Sequence, residues 1–181
     1  MANVPAYDTS RISFGPGILY IGPVGATPTI DIGAVKGDFS MEIKRTPLEV
    51  KAGSPQSLIQ QYVVEEAISF KGTAIEWNLD RLADIMGAGV TSINGAVTAI
   101  GFGGDMAVSE KAVRFVHNTP DGSTIDIQLF RAQGAGDMSI SMKETDVHEF
   151  PFEFKALESS TNFTGATAVK QKRFKIIRTK A

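Results

Sequence analysis

Between Gly37 and Gly87 the chain alternates apolar and polar residues in two long runs. In the first, Phe39, Met41 and Ile43 alternate with Ser40, Glu42 and Lys44. In the second, Tyr62, Val64, Ile68 and Phe70 alternate with Gln61, Glu65, Ser69 and Lys71. A period of two with one apolar face predicts half-buried antiparallel strands. Lys51 to Ser57 carries the turn formers Gly53, Ser54 and Pro55, so the two runs read as a hairpin. Its strands exceed the usual ~5–6 residues, and a hairpin of that length is expected to protrude from its own domain.

The alternation has two faults. After Ile43 the apolar phase moves to Thr46, Leu48 and Val50, which places those side chains on the other face. A bulge or bend near Lys44 to Pro47 would produce this, and Pro47 has no amide to donate to a central ladder. The second fault is Glu66, which interrupts the row between Val64 and Ile68. The outer half of the hairpin is either solvated or packed on another subunit. Leu48, Val50, Leu58 and Ile59 favour the second reading, because a solvated tip has little use for four aliphatic residues.

A short amphipathic helix is expected next, with Leu79, Leu82, Ala83 and Met86 on one face. Asn78 is its N-cap, with Arg81 at the third position where a capping box would carry Glu or Gln. Gly87 stands where a left-handed C-cap belongs. Trp77, the one tryptophan, is expected to anchor the helix against the sheet.

Elsewhere the pattern is one of short strands. Residues 1–13 read as a polar arm, and 14–181 as a single domain. Ile18 to Ile21 is an apolar run between Gly-Pro turn signals, and Ile30 to Val35 has room for a short strand. Gly87 to Asn94 reads as a small, flexible segment, followed by a strand over Ala96 to Phe102. Lys111 to His117 and Thr124 to Arg131 form a second hairpin around Pro120, Asp121 and Gly122. Gly134 to Ser141 is a glycine-containing connection. Asp146 to Leu157 is the most regular alternation, with His148, Phe150, Phe152 and Phe154 facing one way; Pro151 within it marks an edge or a bulge. The end, Lys170 to Lys180, combines a β-capable centre with six basic residues. The fold class expected is mainly β: an antiparallel sandwich or barrel with one flanking α-helix and the long hairpin loop.

Composition narrows the function classes. The 181 residues have 43% hydrophobic and 21% charged content, ordinary for a globular chain with a sizeable core. A formal net charge of −2 argues against a basic surface that grips nucleic acid. The absence of cysteine excludes disulfides and thiol chemistry. No apolar run is long enough to span a bilayer, and no secretion signal is expected from the N-terminal pattern. Catalytic chemistry is sparse. His117 and His148 read as packed residues within strands, and Glu149 and Glu153 as solvated charges. The run Gly101 to Gly104 lacks phosphate-loop spacing. The basic end carries one phenylalanine, which fits a charged strand or subunit contact better than a nucleic-acid site. No catalytic, cofactor-binding or metal-ligating set is expected.

One resemblance adds to this. The run GILYIGPVGATPT, a charged strand, and then LEVKAGSP and EEAISFKGTAIEWNLDRLADIMG resembles the major tail (tail tube) proteins of tailed bacteriophages. It covers Gly17 to Gly87 best and the later half only in its strand pattern. The resemblance implies a structural, non-enzymatic virion protein of the tail tube fold, assembled in the bacterial host cytoplasm and located in the virion tail. It implies hexameric rings that stack into a tube conducting DNA to the host. Partners would be further copies, the terminator, tape-measure and tail-tip proteins, and duplex DNA passing without specific binding; no membrane is involved. Four inner strands from each of six subunits would give a barrel of about 24 strands, roughly 48 Å across the backbone, wide enough for duplex DNA. Lys51, Gly53, Ser54 and Pro55, with the four aliphatic residues, would then form the inter-subunit and ring-stacking loop. Asp38, Glu42, Glu65 and Glu66 would be acids of the lumen wall. The inner tube of a contractile injection system is the nearest alternative, and a small ligand-binding β-barrel a more distant one.

Overall fold

A computed structural model describes residues 17–36, 39–76, 78–86, 89–93, 97–101, 108–135, 144–164 and 173–180. The strands are β1 (Ile18–Gly22), β2 (Ile30–Asp31), β3 (Ser40–Ala52), β4 (Ser57–Ala74), β5 (Gly89–Ile93), β6 (Val97–Gly101), β7 (Glu110–Asn118), β8 (Thr124–Gly134), β9 (Phe150–Ala156) and β10 (Phe174–Thr179). One helix, α1 (Leu79–Met86), follows β4. The chain is mainly β, as the alternation predicts. Eight strands form an antiparallel sheet in the order β2-β1-β7-β8-β9-β4-β3, with β10 also paired to β8; β5 and β6 form a separate ribbon. The expected polar arm (residues 1–13), Asp38, Trp77, Gly87, the Phe102–Gly104 segment and 136–141 lie outside the described residues.

The chain divides into two compact units. The first holds Met1–Ile32, Lys111–Arg131 and Glu158–Ala181. Here β1 pairs with β7 so that Leu19 lies opposite Phe115 and Ile21 opposite Val113. Leu19, Ile21, Val113 and Leu129 are buried to within 1% of complete. On the reverse face Tyr20 lies opposite Arg114, whose guanidinium donates to both carboxylate oxygens of Asp126 at 2.9–3.1 Å. A further buried cluster joins Ala112, Phe130 and Phe163, with the two rings edge to face at 5.4 Å. The turn between β7 and β8 forms where Pro120, Asp121 and Gly122 predict it. Gly122 takes the positive φ of 78°, and Thr119 and Ser123 close the turn by backbone and side-chain hydrogen bonds.

The second unit holds Gly33–Glu110 and Ala132–Leu157. Its core is aromatic: Phe70 lies opposite Phe154, and the Phe39 ring packs tilted at 58° against Phe70, 4.9 Å away, and Phe152, 5.9 Å away. Asn78 caps α1 as expected, its side-chain oxygen accepting the Arg81 amide at 3.2 Å. The buried helix face is Leu82, Ala83 and Ile85; Leu79 and Met86 are half-buried, so Ile85 replaces them in the face expected from spacing. Gly134 is required at the end of β8, because a Cβ there would collide with the Ile85 carbonyl of α1.

Three readings are corrected. Residues 89–93 are a strand paired with β6 rather than a flexible segment, in keeping with the β-branched Val90, Thr91 and Ile93. His148 and Glu149 precede β9, so His148 is half-buried next to the strand and not within it. Pro151 is on an interior strand, yet β8 reaches only Phe154 to Ala156 of β9. At Pro151 the ladder is one-sided, against Thr73 of β4, which is how a strand without that amide is accommodated.

Candidate functional site

The most unusual part of the molecule is the distal part of the β3–β4 hairpin. β4 has 18 residues, of which β9 pairs only with Ser69 to Ala74. Among the described residues, the rest of β4 pairs with β3 alone. Every side chain from Ile43 of β3 to Glu65 of β4 is exposed.

The register explains the shift of apolar phase. Ser40 to Thr46 run opposite Lys71 to Glu65, then Pro47 lies opposite Val63, so Val64 is an extra residue in β4. A second shift makes Ile59 extra. The irregularity falls beside Pro47, as the sequence predicts, but the additional residue belongs to the partner strand. β3 therefore keeps its alternation, and β4 changes phase to meet it. Near the base, one face carries Met41 opposite Phe70 and Ile43 opposite Ile68, and the reverse face carries Glu42 opposite Ser69 and Thr46 opposite Glu65. Beyond the bulge that reverse face carries Leu48 opposite Tyr62 and Val50 opposite Gln60. The face that is polar at the base becomes apolar toward the tip. The two bulged residues are the most exposed large aliphatics, Ile59 at 64% and Val64 at 60%. Leu58 and Val63 are also more than half exposed. Tyr62 and Val64, expected on a buried face with Ile68 and Phe70, are exposed because no described strand continues the β9 layer beside them.

Charges on this arm are paired locally. Between Pro47 and Val64 the only ionic groups are Glu49 and Lys51, which bond each other at 2.8 Å. Nearer the base, Arg45 bonds Glu66 at 2.6 Å. The Lys44 ammonium, followed by that of Lys71, holds the Glu42 carboxyl below its usual range. A neutral, apolar surface of this kind is cheap to desolvate, because docking strands no charge. The tip, with Gly53 at φ 99° and Ser54 and Pro55 joined by a cis bond, is exposed.

The acids named from the sequence do not share one face. Glu42 and Glu65 stand on the reverse face, while Glu66 lies in the row of Ile68 and Phe70, held by Arg45. Grouping Glu66 with the other two is therefore corrected: side chains alternate strictly on β4 between Glu65 and Phe70. Glu149 and Glu153 are bound to Lys36 at 2.8 Å and to Lys71 at 3.8 Å, respectively. Among the described residues no three His, Asp or Glu side chains are placed to hold a metal ion, and no helix is long and apolar enough to cross a membrane. The sequence matches no family model, and a search of curated proteins finds no relative.

Proposed function

We propose that this protein is the repeating subunit of a phage tail tube, in which hexameric rings stack and the assembled lumen conducts DNA to the host. The observation that carries this reading is the hairpin arm. It displays Leu48, Val50, Leu58, Ile59, Tyr62, Val63 and Val64 in the open, with no unpaired charge among them. Exposed apolar surface of that extent marks an interaction site, and a solitary subunit gains nothing from it. In a closed ring each arm is covered by the neighbouring copy through a heterologous contact that repeats by rotation. Glu42 and Glu65, on the face that turns polar toward the base, then line the wall that DNA slides past, their charge partly offset by Lys44 and Lys71 of the same face.

Negative-stain microscopy of the purified protein at high concentration tests the proposal. Rings or tubes of uniform diameter are the expected result. A monomer by light scattering at every concentration and salt condition, with no assemblies on the grid, would overturn it.

A further inference from the structure

Resting on the ring reading, we propose that the bulge at Val64 sets the direction in which the arm leaves its own sheet, and thereby the diameter at which copies of this chain close. Both extra residues of the hairpin, Val64 and Ile59, belong to β4. Between them lie four pairs: Pro47 with Val63, Leu48 with Tyr62, Glu49 with Gln61 and Val50 with Gln60. The apolar patch of the reverse face, Leu48, Val50 and Tyr62, is thus confined to a short ladder with a bulge at each end. A bulge bends its strand and increases the local right-handed twist, which re-aims whatever lies beyond it.

Nothing inside the subunit calls for this bulge. Val64 is 60% exposed, and no side chain from Ile43 to Glu65 is buried. Pro47 lacks only an amide, and a regular edge strand accommodates that wherever the residue faces away from its neighbour. The same residues could also continue an unbroken ladder, with Pro47 opposite Val64 and Leu48 opposite Val63. That ladder would set Tyr62 opposite Glu49 and break up the patch; the bulge instead places Tyr62 beside Leu48. Its consequences therefore lie outside the subunit. A heterologous contact closes into a ring only when its rotation divides the circle. The bend between the base of the hairpin and its apolar patch enters that rotation directly, so a change of bend alters closure even where every contacting side chain is kept.

Three variants of the full chain separate bend from side chain. Deleting Val64 lets the Pro47–Val63 pair follow Thr46–Glu65 directly, so every pair and face beyond persists and the bend is removed. One threonine inserted between Thr46 and Pro47 gives Val64 a partner; it straightens the ladder and turns the patch to the other face. Val64→Thr keeps the bulge and a β-branched shape but loses the apolar side chain. Each is imaged by negative stain beside wild type, and its subunit is followed by urea unfolding. Wild type and Val64→Thr are expected to share one assembly diameter. The deletion and insertion variants, folded, should form nothing of that diameter. Wild-type assemblies from the deletion variant would overturn the proposal and leave the ring reading intact. So would a Val64→Thr variant as defective as the deletion, which would assign the effect to the side chain. Deletion and insertion variants that both fail to fold would overturn it too, since the bulge would then serve the subunit itself. A folded wild-type protein that never assembles would remove the ring reading with it.

Discussion

If the reverse face of the distal arm is covered in the assembly, making it polar should abolish assembly and spare the fold. The triple substitution Leu48→Thr, Val50→Thr and Tyr62→Thr does this while keeping β-favouring residues in both strands. The three side chains are 53%, 40% and 51% exposed in the subunit. Full burial of a side chain of this size contributes ~1.5–3 kcal/mol. Covering the half still open is therefore worth about 0.7–1.5 kcal/mol each, or about 2–4 kcal/mol per arm. At ~1.4 kcal/mol per tenfold, each contact weakens roughly 30- to 700-fold, and burying the new hydroxyls adds to the loss. The subunit itself should lose at most ~0.5 kcal/mol per site, since none of the three enters its core. Sedimentation velocity against concentration reads the assembly threshold, and urea unfolding reads the subunit. A folded triple variant whose threshold lies within about twofold of wild type would refute the reasoning: the energy estimated here would have no counterpart.

Three further outcomes are expected. Leu82, only 4% exposed under α1, should cost ~2–5 kcal/mol on Leu82→Ala, read by denaturant unfolding; a change under ~1 kcal/mol would mean the helix contributes little to its unit. On the proposed tail-tube reading, exchanging Glu42 and Glu65 for Lys, which alters each subunit by about four charge units on one face of the hairpin base, should slow DNA ejection at low salt with recovery as salt is added; unchanged ejection at low salt would mean that these residues do not line such a lumen. Asp121 accepts hydrogen bonds from the Thr119 hydroxyl and from the Ser123 amide and hydroxyl, which hold its carboxyl well below the usual 3.8. A depressed folded value contributes stability that is present above the unfolded value and is lost as pH falls from there through the folded one, so the difference in Tm between wild type and Asp121→Asn seen at neutral pH should narrow as pH falls below the usual 3.8; a gap that stays constant below that pH would contradict the assignment.

Local chemistry was legible residue by residue. The Gly53-Ser54-Pro55 tip, the Asn78 cap and the Pro120-Asp121-Gly122 turn each depend on groups a few positions apart, and each forms where the chain order places it. Period two along β9 and the base of the hairpin likewise told which residues share a face, including the lone position of Glu66 in an apolar row, but it misplaced Tyr62, which the bulge at Val64 moves to the face opposite Ile68 and Phe70. Periodicity cannot tell whether a face is covered, because cover comes from strands distant in the chain. Phe70 is buried since β9 lies beside it, and Val64 is exposed since the β9 ladder ends at Ser69. The same limit separates Ile85, buried against neighbours that arrive from elsewhere in the chain, from Leu79 and Met86 on the expected stripe. Pairing geometry is tertiary as well: only the register reveals that the extra residue beside Pro47 is Val64, and that the polar face of the hairpin base becomes the apolar face of its tip.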